Sequence, residues 1–449
     1  MKKVYKSFII CGLSLLLTGC VSPLDFLKPE GETPQGDTSK DDQKQDQQNP
    51  EPGDNQGTDP GTDPGTDPGT NPDVTPKEAS FIPEVGEVRL LFEHGTAGET
   101  RIYNYCPSIF IDENNQEHVY YCSNKSEGNV TDYVAYRKGV IENNEIKYSS
   151  VSFVLEHSAE TSTWDSRHCC DPSVIKGEFK YQGETYSYLM AYLGCLTSDC
   201  TRNETGIAVA KNPAGPWVKC NSMKSDGVTP INPIVPYSQF QVNSNNWGTG
   251  QPSLVSVDKK GRVLLFTTIG AANGTFTNIR EYDFSDIDNY ELIRERTRIT
   301  TDGIKGTTTG ASMINNADFG YDEVNRRVIV AKPRQYFGTD GKDPSIVADT
   351  IDVYYIDDTE GTKVGDVLFA GNNTSKIWKQ IGSVDKSVTG FLRNHNTGLI
   401  TDAYGRIDAT KNIGVAVTRS DEGTGSNWSY LSTYRIYATG LKLPNAYFK

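Results

Sequence analysis

The sequence has little that would build helices. After the apolar segment at its N-terminus there is no stretch of sustained helical periodicity, and 42 glycines and 22 prolines are spread over its 449 residues. Glycine and proline at this frequency indicate many turns, and short β-branched and aromatic runs between turns are typical of strands. These features disfavour a helical bundle. With 36% hydrophobic residues the chain can still bury a large all-β core.

Basic charge is also scarce. The chain carries 44 Lys and Arg against 58 Asp and Glu, which gives a net charge of −14 at pH 7. This balance argues against nucleic-acid binding and against a polybasic membrane contact. Two metal-site patterns are missing as well. The repeated Asp residues near position 60 lack EF-hand spacing and its closing Glu, and the cysteines lack the paired Cys-x-x-Cys spacing of zinc modules.

The apolar run at residues 8–17 is too short to span a bilayer stably. Lys2 and Lys3 precede this run, and Leu17-Thr18-Gly19-Cys20 closes it. The closing tetrapeptide resembles the lipobox of bacterial lipoproteins. The resemblance implies a signal peptide at residues 1–20, lipidation of Cys20, and a lipid-anchored extracytoplasmic location at the outer membrane or cell surface. Anchoring in the membrane would then depend on the lipid alone.

Residues 21–80 read as a disordered linker. Gly57-Thr58-Asp59-Pro60 recurs twice in identical form and ends in a fourth, Asn-containing copy, among many Asp, Gln, Glu, Lys and Pro residues. This composition cannot bury enough apolar surface to offset chain entropy. The remaining residues, 81–449, are expected to form one globular domain that the linker holds away from the lipid surface.

An internal repeat runs through this domain. Five similar starts, each followed by a strand pattern, recur about 65 to 80 residues apart, the spacing of a large four-stranded propeller blade. The starts are Pro107-Ser108, Pro172-Ser173, Pro252-Ser253, Ala317-Asp318 and Thr397-Gly398. They predict an all-β, five-bladed β-propeller. Strand-like residues 88–92 and 429–437 are expected to pair and close the ring, which would remove its open edges.

The second and fifth repeats resemble a family of propeller enzymes. Asp171-Pro172-Ser173-Val174-Ile175, the Tyr-rich strand after it and Gly215-Pro216-Trp217 are similar to the second blade of glycoside hydrolase family 43, and His395-Asn396-Thr397 is similar to its last blade. The resemblance implies a polysaccharide or oligosaccharide ligand and three axial carboxylates: base, pKa modulator and acid. Asp171 takes the modulator position. Cys106 and Gln251 stand at the base and acid positions, where neither can act as a carboxylate.

Three interpretations follow from this departure. The propeller has lost hydrolysis and kept glycan recognition; or it hydrolyses arabinose- or xylose-containing glycans with other carboxylates; or the first and third repeats are misaligned. The candidate carboxylates for the second interpretation are Asp165, Glu204 and Asp318. A surface scaffold that binds other proteins is a further alternative, because a fold alone does not fix a function.

Five more residues are candidates for substrate binding. They are Arg167, His168, Trp247, His395 and Asn396. By the same resemblance, His395 could lie beside an axial calcium ion, the one cofactor expected. Each has a structural alternative: exposed loop residues, a core histidine, or a tryptophan packed between blades. The protein is expected to be a monomer.

Once Cys11 and Cys20 are set aside with the leader and the anchor, seven cysteines remain, an odd number for an oxidising compartment. Cys195 and Cys200 bracket a short polar loop and are the best local disulfide candidate. Pairing of Cys106 with Cys122, or with one of the vicinal Cys169 and Cys170, is a weaker prediction.

Overall fold

The structure is a computed structural model that describes residues 77–93, 102–126, 130–197, 201–239, 247–271, 274–305, 313–334, 348–410, 412–420 and 433–449. The predicted signal peptide, Cys20 and nearly all of the linker lie outside these residues, so those predictions stand as predictions. Within the described ranges, no helix is long and apolar enough to cross a membrane.

The described residues form the predicted all-β, five-bladed propeller. Strand β1 (Val88–Leu90) comes first in the chain and belongs to the last blade. Blade one contains β2 (Asn104–Ile111), β3 (Glu117–Ser123), β4 (Tyr133–Glu142), β5 (Glu145–Tyr148) and β6 (Ser152–Leu155), the last two both paired with β4. Blade two contains β7 (His168–Tyr181), β8 (Glu184–Cys195), β9 (Asn203–Ala210) and β10 (Val218–Lys219).

The other three blades have four strands each in the described ranges. Blade three contains β11 (Gly248–Ser256), β12 (Arg262–Ala271), β13 (Gly274–Asp283) and β14 (Glu291–Arg298). Blade four contains β15 (Asp318–Asp322), β16 (Arg327–Pro333), β17 (Ile351–Asp357) and β18 (Lys379–Val384). Blade five contains β19 (Arg393–Asp402), β20 (Ile413–Ser420), β21 (Arg435–Leu441) and β1.

Helices are short and lie between strands. The α-helices among the described residues are α1 (Asp366–Phe369) and α2 (Lys386–Thr389). Single 3₁₀ turns are formed by Tyr237–Gln239, Ile287–Asn289, Gly371–Asn373 and Asn445–Phe448. The apolar residues therefore lie mainly in strands, as the Gly and Pro content of the sequence indicated.

The apolar core lies between the blades. Among the described residues, one buried cluster fills each of the five interfaces; between blades two and three, for example, Ile175 and Leu189 pack in the same cluster as Leu265. The second strands β8 and β16 are buried along most of their length, so their sequences contain long apolar runs instead of a strict alternation. Each blade is therefore stabilised mainly by its neighbours.

The ring closes as the sequence predicted. Strand β1 pairs antiparallel with β21, with Val88 opposite Thr439 and Leu90 opposite Tyr437. Strands β19 and β2 also pair in parallel, through Ile400 opposite Ile109. The first and last blades are thus joined by backbone hydrogen bonds as well as by packing.

Candidate active site

A residue in the left-handed backbone conformation stands at the start of every blade. These residues, which we call the axial ring, are Cys106 (φ 49°), Asp171 (φ 46°), Gln251 (φ 49°), Asn316 (φ 45°) and Asn396 (φ 41°). All five line one pocket. Left-handed non-glycine residues are uncommon and cost about 1 to 2 kcal/mol each, so five at equivalent positions indicate a site that the fold maintains.

Local chain features produce this conformation. The pairing register shifts at the ring position in blades one, two, three and five, which marks a β-bulge. A bulge redirects a side chain and leaves one residue out of the ladder. Pro107, Pro172 and Pro252 follow the ring residue in three of these blades, where the missing N–H costs no ladder bond.

Hydrogen bonds connect neighbouring members of the ring. The Asn316 backbone N–H donates to Gln251 Oε1 at 2.8 Å, and Asn316 Nδ2 donates to Asn396 Oδ1 at 2.9 Å. Asn316 Oδ1 is buried and has no hydrogen-bond partner in the structure. A buried amide oxygen without a partner costs free energy, so the fold keeps Asn316 at this position at a cost in stability.

The pocket is small. Its cavity volume is about 30 Å³. One water needs about 10 to 15 Å³ measured in this way, so the pocket has room for about two or three waters or ligand hydroxyls. A whole sugar ring does not fit at this depth. The pocket can instead receive the hydroxyl groups of a sugar that lies across its mouth.

The pocket wall includes two carboxylates among the described residues, Asp171 and Asp318. Asp318 Oδ1 accepts from Ser253 Oγ at 2.7 Å, and Asp318 Oδ2 accepts from the Leu399 N–H at 2.8 Å. Burial raises the pKa of Asp318 to about 6, against the lowering effect of these hydrogen bonds. Both of its oxygens therefore already take part in holding the fold together.

The hydrogen bond that Asp318 accepts from the Leu399 N–H is one of a series that connects neighbouring blades. In blades one to four, the side chain two residues after the ring residue accepts a backbone N–H from the first strand of the next blade. We call these the inter-blade hydrogen bonds: Ser108 with Val174 (3.3 Å), Ser173 with Leu254 (2.9 Å), Ser253 with Phe319 (2.9 Å) and Asp318 with Leu399 (2.8 Å). Gly398 takes this place in blade five, where a Cβ would lie 2.4 Å from the Pro107 carbonyl oxygen. Asp318 thus occupies a structural position that serine fills elsewhere.

The other two candidate carboxylates lie away from the pocket wall. Asp165 is buried, and its Oδ2 accepts from Lys219 Nζ at 2.5 Å and from the Tyr192 hydroxyl at 3.1 Å. Glu204 accepts the Tyr237 backbone N–H at 2.8 Å, and burial raises its pKa. Of the three alternatives drawn from the sequence, the structure brings only Asp318 to the pocket.

Most of the predicted substrate-binding residues also lie away from the pocket wall. Asn396 lies in the pocket wall, whereas the other four do not. Arg167 is exposed, and Trp247 is buried so closely against Gly270 that a Cβ there would lie 1.9 Å from the indole Nε1. The His168 ring is buried with Nδ1 3.1 Å from an Asp132 carboxylate oxygen. Burial disfavours its cation, but Asp132 outweighs this effect, so the His168 pKa is raised.

His395 precedes the ring residue Asn396 and is buried. Its Nδ1 lies 3.4 Å from the Ala348 N–H, and burial lowers its pKa to about 3. The imidazole is therefore neutral at working pH. Calcium prefers six to eight oxygen ligands. In the pocket wall, the oxygens of Asp318, Gln251 and Asn396 already accept hydrogen bonds from the protein. This donor set does not fit a calcium site built on His395, and the axial calcium remains a prediction.

The cysteine pairing differs from the one predicted. Cys122, on β3, forms a disulfide with Cys170, on β7, with a Cα–Cα distance of 5.2 Å. Pairing of Cys106 with Cys122 or with Cys170 is therefore wrong, and Cys169 is a buried thiol. The second strand of blade one packs against the first strand of blade two, which brings together cysteines that are 48 residues apart. Cys200 lies outside the described residues, so its pairing with Cys195 is still a prediction.

Sequence reasoning missed one member of the ring, Asn316. The repeat was recognised through Ala317-Asp318, and the residue before that pair is the ring position in every blade. Moving one residue back along the five starts would have identified Asn316. The missing Pro-Ser pair in blade four hid this signal.

Comparisons place the fold among known structures. No protein-family model and no curated protein matches the sequence. Similar solved structures include a family 117 glycoside hydrolase of Zobellia galactanivorans, at 12% identity and TM-score 0.48 over 81% of this chain and 92% of the other. They also include an α-L-arabinofuranosidase of Podospora anserina (10%, TM-score 0.46, 81% and 99%) and a thermostable family 43 glycoside hydrolase (10%, TM-score 0.45, 79% and 94%). The five-bladed assignment rests on this chain's own strand order, and its function is argued from its own pocket.

Proposed function

We propose that this protein recognises carbohydrate at the axial pocket without hydrolysing it. The observation that carries the proposal is the composition of the axial ring, which has one carboxylate, one thiol and three amides. Inverting hydrolysis needs one carboxylate for the water and one protonated carboxyl for the leaving oxygen. Asp171 could supply one of them. The other pocket carboxylate, Asp318, is committed to the inter-blade hydrogen bonds.

The same composition suits the recognition of hydroxyl groups. Amide side chains donate and accept hydrogen bonds, and sugar hydroxyls do both. The amide residues Gln251, Asn316 and Asn396 line the pocket, and Pro107, Pro172 and Pro252 give its wall apolar patches between the polar groups. Small-molecule sites commonly combine a concave apolar lining with a few placed polar groups. A sugar hydroxyl seated in this pocket is the ligand that we propose.

One observation favours hydrolysis as a second candidate function. The pKa of Asp318 is raised to about 6 by burial, which is the direction that a general acid requires. An enzyme of this kind would use Asp171 and Asp318 together. The general acid of such an enzyme would be Asp318, and the same carboxylate accepts the hydrogen bond that connects blades four and five.

A binding and release assay distinguishes the two functions. The full chain is incubated with plant and host polysaccharides, and retention on the polymer and release of reducing sugar are both recorded. We expect retention without release, and we expect Gln251→Ala to weaken retention while Lys211→Ala, at an exposed ion pair, leaves it unchanged. Release that disappears in both Asp171→Asn and Asp318→Asn would instead establish a hydrolase. If the protein is not retained on any polymer and releases no sugar from it, the scaffold interpretation is favoured.

We also propose that the propeller is tethered to the cell envelope through lipid on Cys20. The Leu-Thr-Gly-Cys sequence and the polar linker after it support this location. Cys20→Ser should move the protein from the membrane fraction to the soluble fraction of a bacterial host that processes lipoproteins. An unchanged membrane fraction would contradict lipid anchoring at this residue.

A further inference from the structure

A group of sulfur and oxygen ligand atoms lies at one side of the axial pocket. Cys106 Sγ, Cys122 Sγ and a carboxylate oxygen of Asp171 all lie within 4.8 Å of one another. Cys170 Sγ, bonded to Cys122, lies 3.2 Å from Asp171 Oδ1. Cys170 Sγ therefore lies beside two of the three members of this group. The four residues come from three strands of two blades, so their spacing in the sequence does not predict the group.

In the disulfide form this group is not a complete metal site. A sulfur in a disulfide is neither a thiolate nor a strong ligand, so Cys122 and Cys170 are excluded from coordination. Cys106 and Asp171 remain, and two ligands do not make the tetrahedral site that zinc requires. Reduction adds the two missing ligands at the same place.

Polar groups already face the two disulfide sulfurs. The Asp171 backbone N–H donates to Cys122 Sγ at 2.9 Å, and Cys170 Sγ lies 3.1 Å from the Tyr105 hydroxyl oxygen and 3.2 Å from Asp171 Oδ1. Neighbours that hydrogen-bond a ligand atom fix its orientation toward a metal. Both sulfurs that reduction would release therefore already have polar neighbours that hold them in place.

We propose that reduction of the Cys122–Cys170 disulfide converts this group into a zinc site with Cys106, Cys122, Cys170 and Asp171 as ligands. A thiol reductant supplies two electrons and two protons, which break the S–S bond and leave two thiols, and the reductant leaves as its own disulfide. Zinc then displaces one proton from each of the three thiols. Three thiolates and a carboxylate are ligands that zinc accepts in tetrahedral geometry.

The pocket gives the metal a route of entry. Cys106 is partly exposed and lines the pocket wall, whereas Cys122 and Cys170 are buried behind it. Zinc that enters from the pocket meets Cys106 and Asp171 first. The oxidised protein thus keeps an open hydroxyl-binding pocket, and the reduced protein binds a metal at its edge.

Cobalt is the probe for the test, because thiolate-bound tetrahedral cobalt has intense sulfur-to-metal absorption. The full chain is reduced with a phosphine under argon, freed of the phosphine and titrated with Co²⁺ and then Zn²⁺; an unreduced sample is titrated in parallel. We expect absorption at one equivalent of Co²⁺ in the reduced protein alone, and loss of that absorption when one equivalent of Zn²⁺ is added.

Variants assign the ligands. Cys106→Ser and Asp171→Asn should each weaken cobalt binding by at least tenfold. Cys220→Ser, which alters a buried thiol outside the group, should leave binding unchanged. The proposal is overturned if the reduced protein shows no thiolate–cobalt absorption, if the disulfide form binds equally well, or if both ligand variants bind as the wild type does.

Discussion

At the scale of single residues, the axial ring holds side chains in a backbone conformation that only glycine adopts without strain. Asn396 illustrates the cost, with φ at 41° and its Oδ1 accepting from Asn316 Nδ2. Asn396→Gly and Asn396→Ala both remove this bond, but only Ala keeps a Cβ that opposes positive φ. We expect the Gly variant to be more stable than the Ala variant by about 1 kcal/mol. Urea unfolding of the two variants measures the difference, and equal stability would show that the position is not strained.

Asp318 should make stability depend on pH. Its folded-state pKa, about 6, lies above the value of about 3.9 expected in the unfolded chain, so the folded state binds a proton more tightly. Its contribution to stability is therefore largest below about pH 4 and is lost as pH rises from about 4 to about 6. The free energy of unfolding of the wild type relative to Asp318→Asn should fall over this interval. A difference that stays constant or rises with pH would contradict a raised pKa.

The residues of the site were partly readable from the sequence. Cys106, Asp171 and Gln251 precede Pro-Ser, a pair recognisable without a structure. Asn316 was missed because Ala and Asp replace that pair, and the Cys122–Cys170 bond was missed because the two cysteines meet only when blades one and two pack. Contacts between distant residues are set by the fold, and local patterns do not contain them.

At the scale of strands, the inter-blade hydrogen bonds tie each first strand to the next. Ser173 Oγ accepts the buried Leu254 N–H, and Ser173→Ala leaves that donor without a partner. We expect a loss of about 1 to 3 kcal/mol of unfolding free energy. Ser162→Ala, at an exposed serine bonded to Glu160, should change it by less than about 0.5 kcal/mol. Similar losses in the two variants, measured by denaturant titration, would remove the structural role assigned to Ser173.

A buried strand was easier to recognise in the sequence than an exposed one. Strand β8 is rich in aromatic and apolar residues and was recognised as a strand, because both of its faces are covered. Strand β14, which reads Glu-Leu-Ile-Arg-Glu-Arg-Thr-Arg, lies at the outer edge of blade three and is mostly exposed. Its charged side chains are solvated, so its sequence lacks the alternation of apolar and polar residues that would identify a strand.

At the scale of the whole molecule, a partly buried arginine joins the closing strand to blade one, in addition to strand pairing. Arg89, on β1, donates to Glu117 Oε1 at 3.0 Å and to the Phe81 carbonyl at 2.7 Å, and it also bonds the Tyr148 hydroxyl. Glu117 is fully buried, and burial raises its pKa despite the opposing effect of Arg89. Arg89 therefore connects the closing strand to blade one.

Removing this arginine should destabilise the closed ring. Arg89→Met leaves Glu117 buried without its cationic partner, although the Tyr148 hydroxyl still donates to it, and we expect a loss of about 3 to 5 kcal/mol at neutral pH. Lys211→Met breaks an exposed ion pair with Glu184 and should leave the unfolding free energy almost unchanged. Thermal and urea unfolding compare the two. A loss for Arg89→Met as small as that of the control would mean that closure relies on backbone pairing alone.

The central claim is that the axial pocket binds a sugar through its ring of amides. The most direct measurement is a calorimetric titration of the wild type and of Asn316→Ala with an oligosaccharide cut from the polymer that the protein retains. One molecule should bind per chain, and loss of the Asn316 amide should weaken binding about tenfold, equivalent to about 1.4 kcal/mol. Equal affinity in the two proteins would contradict the account, because the sugar would then be bound at another surface.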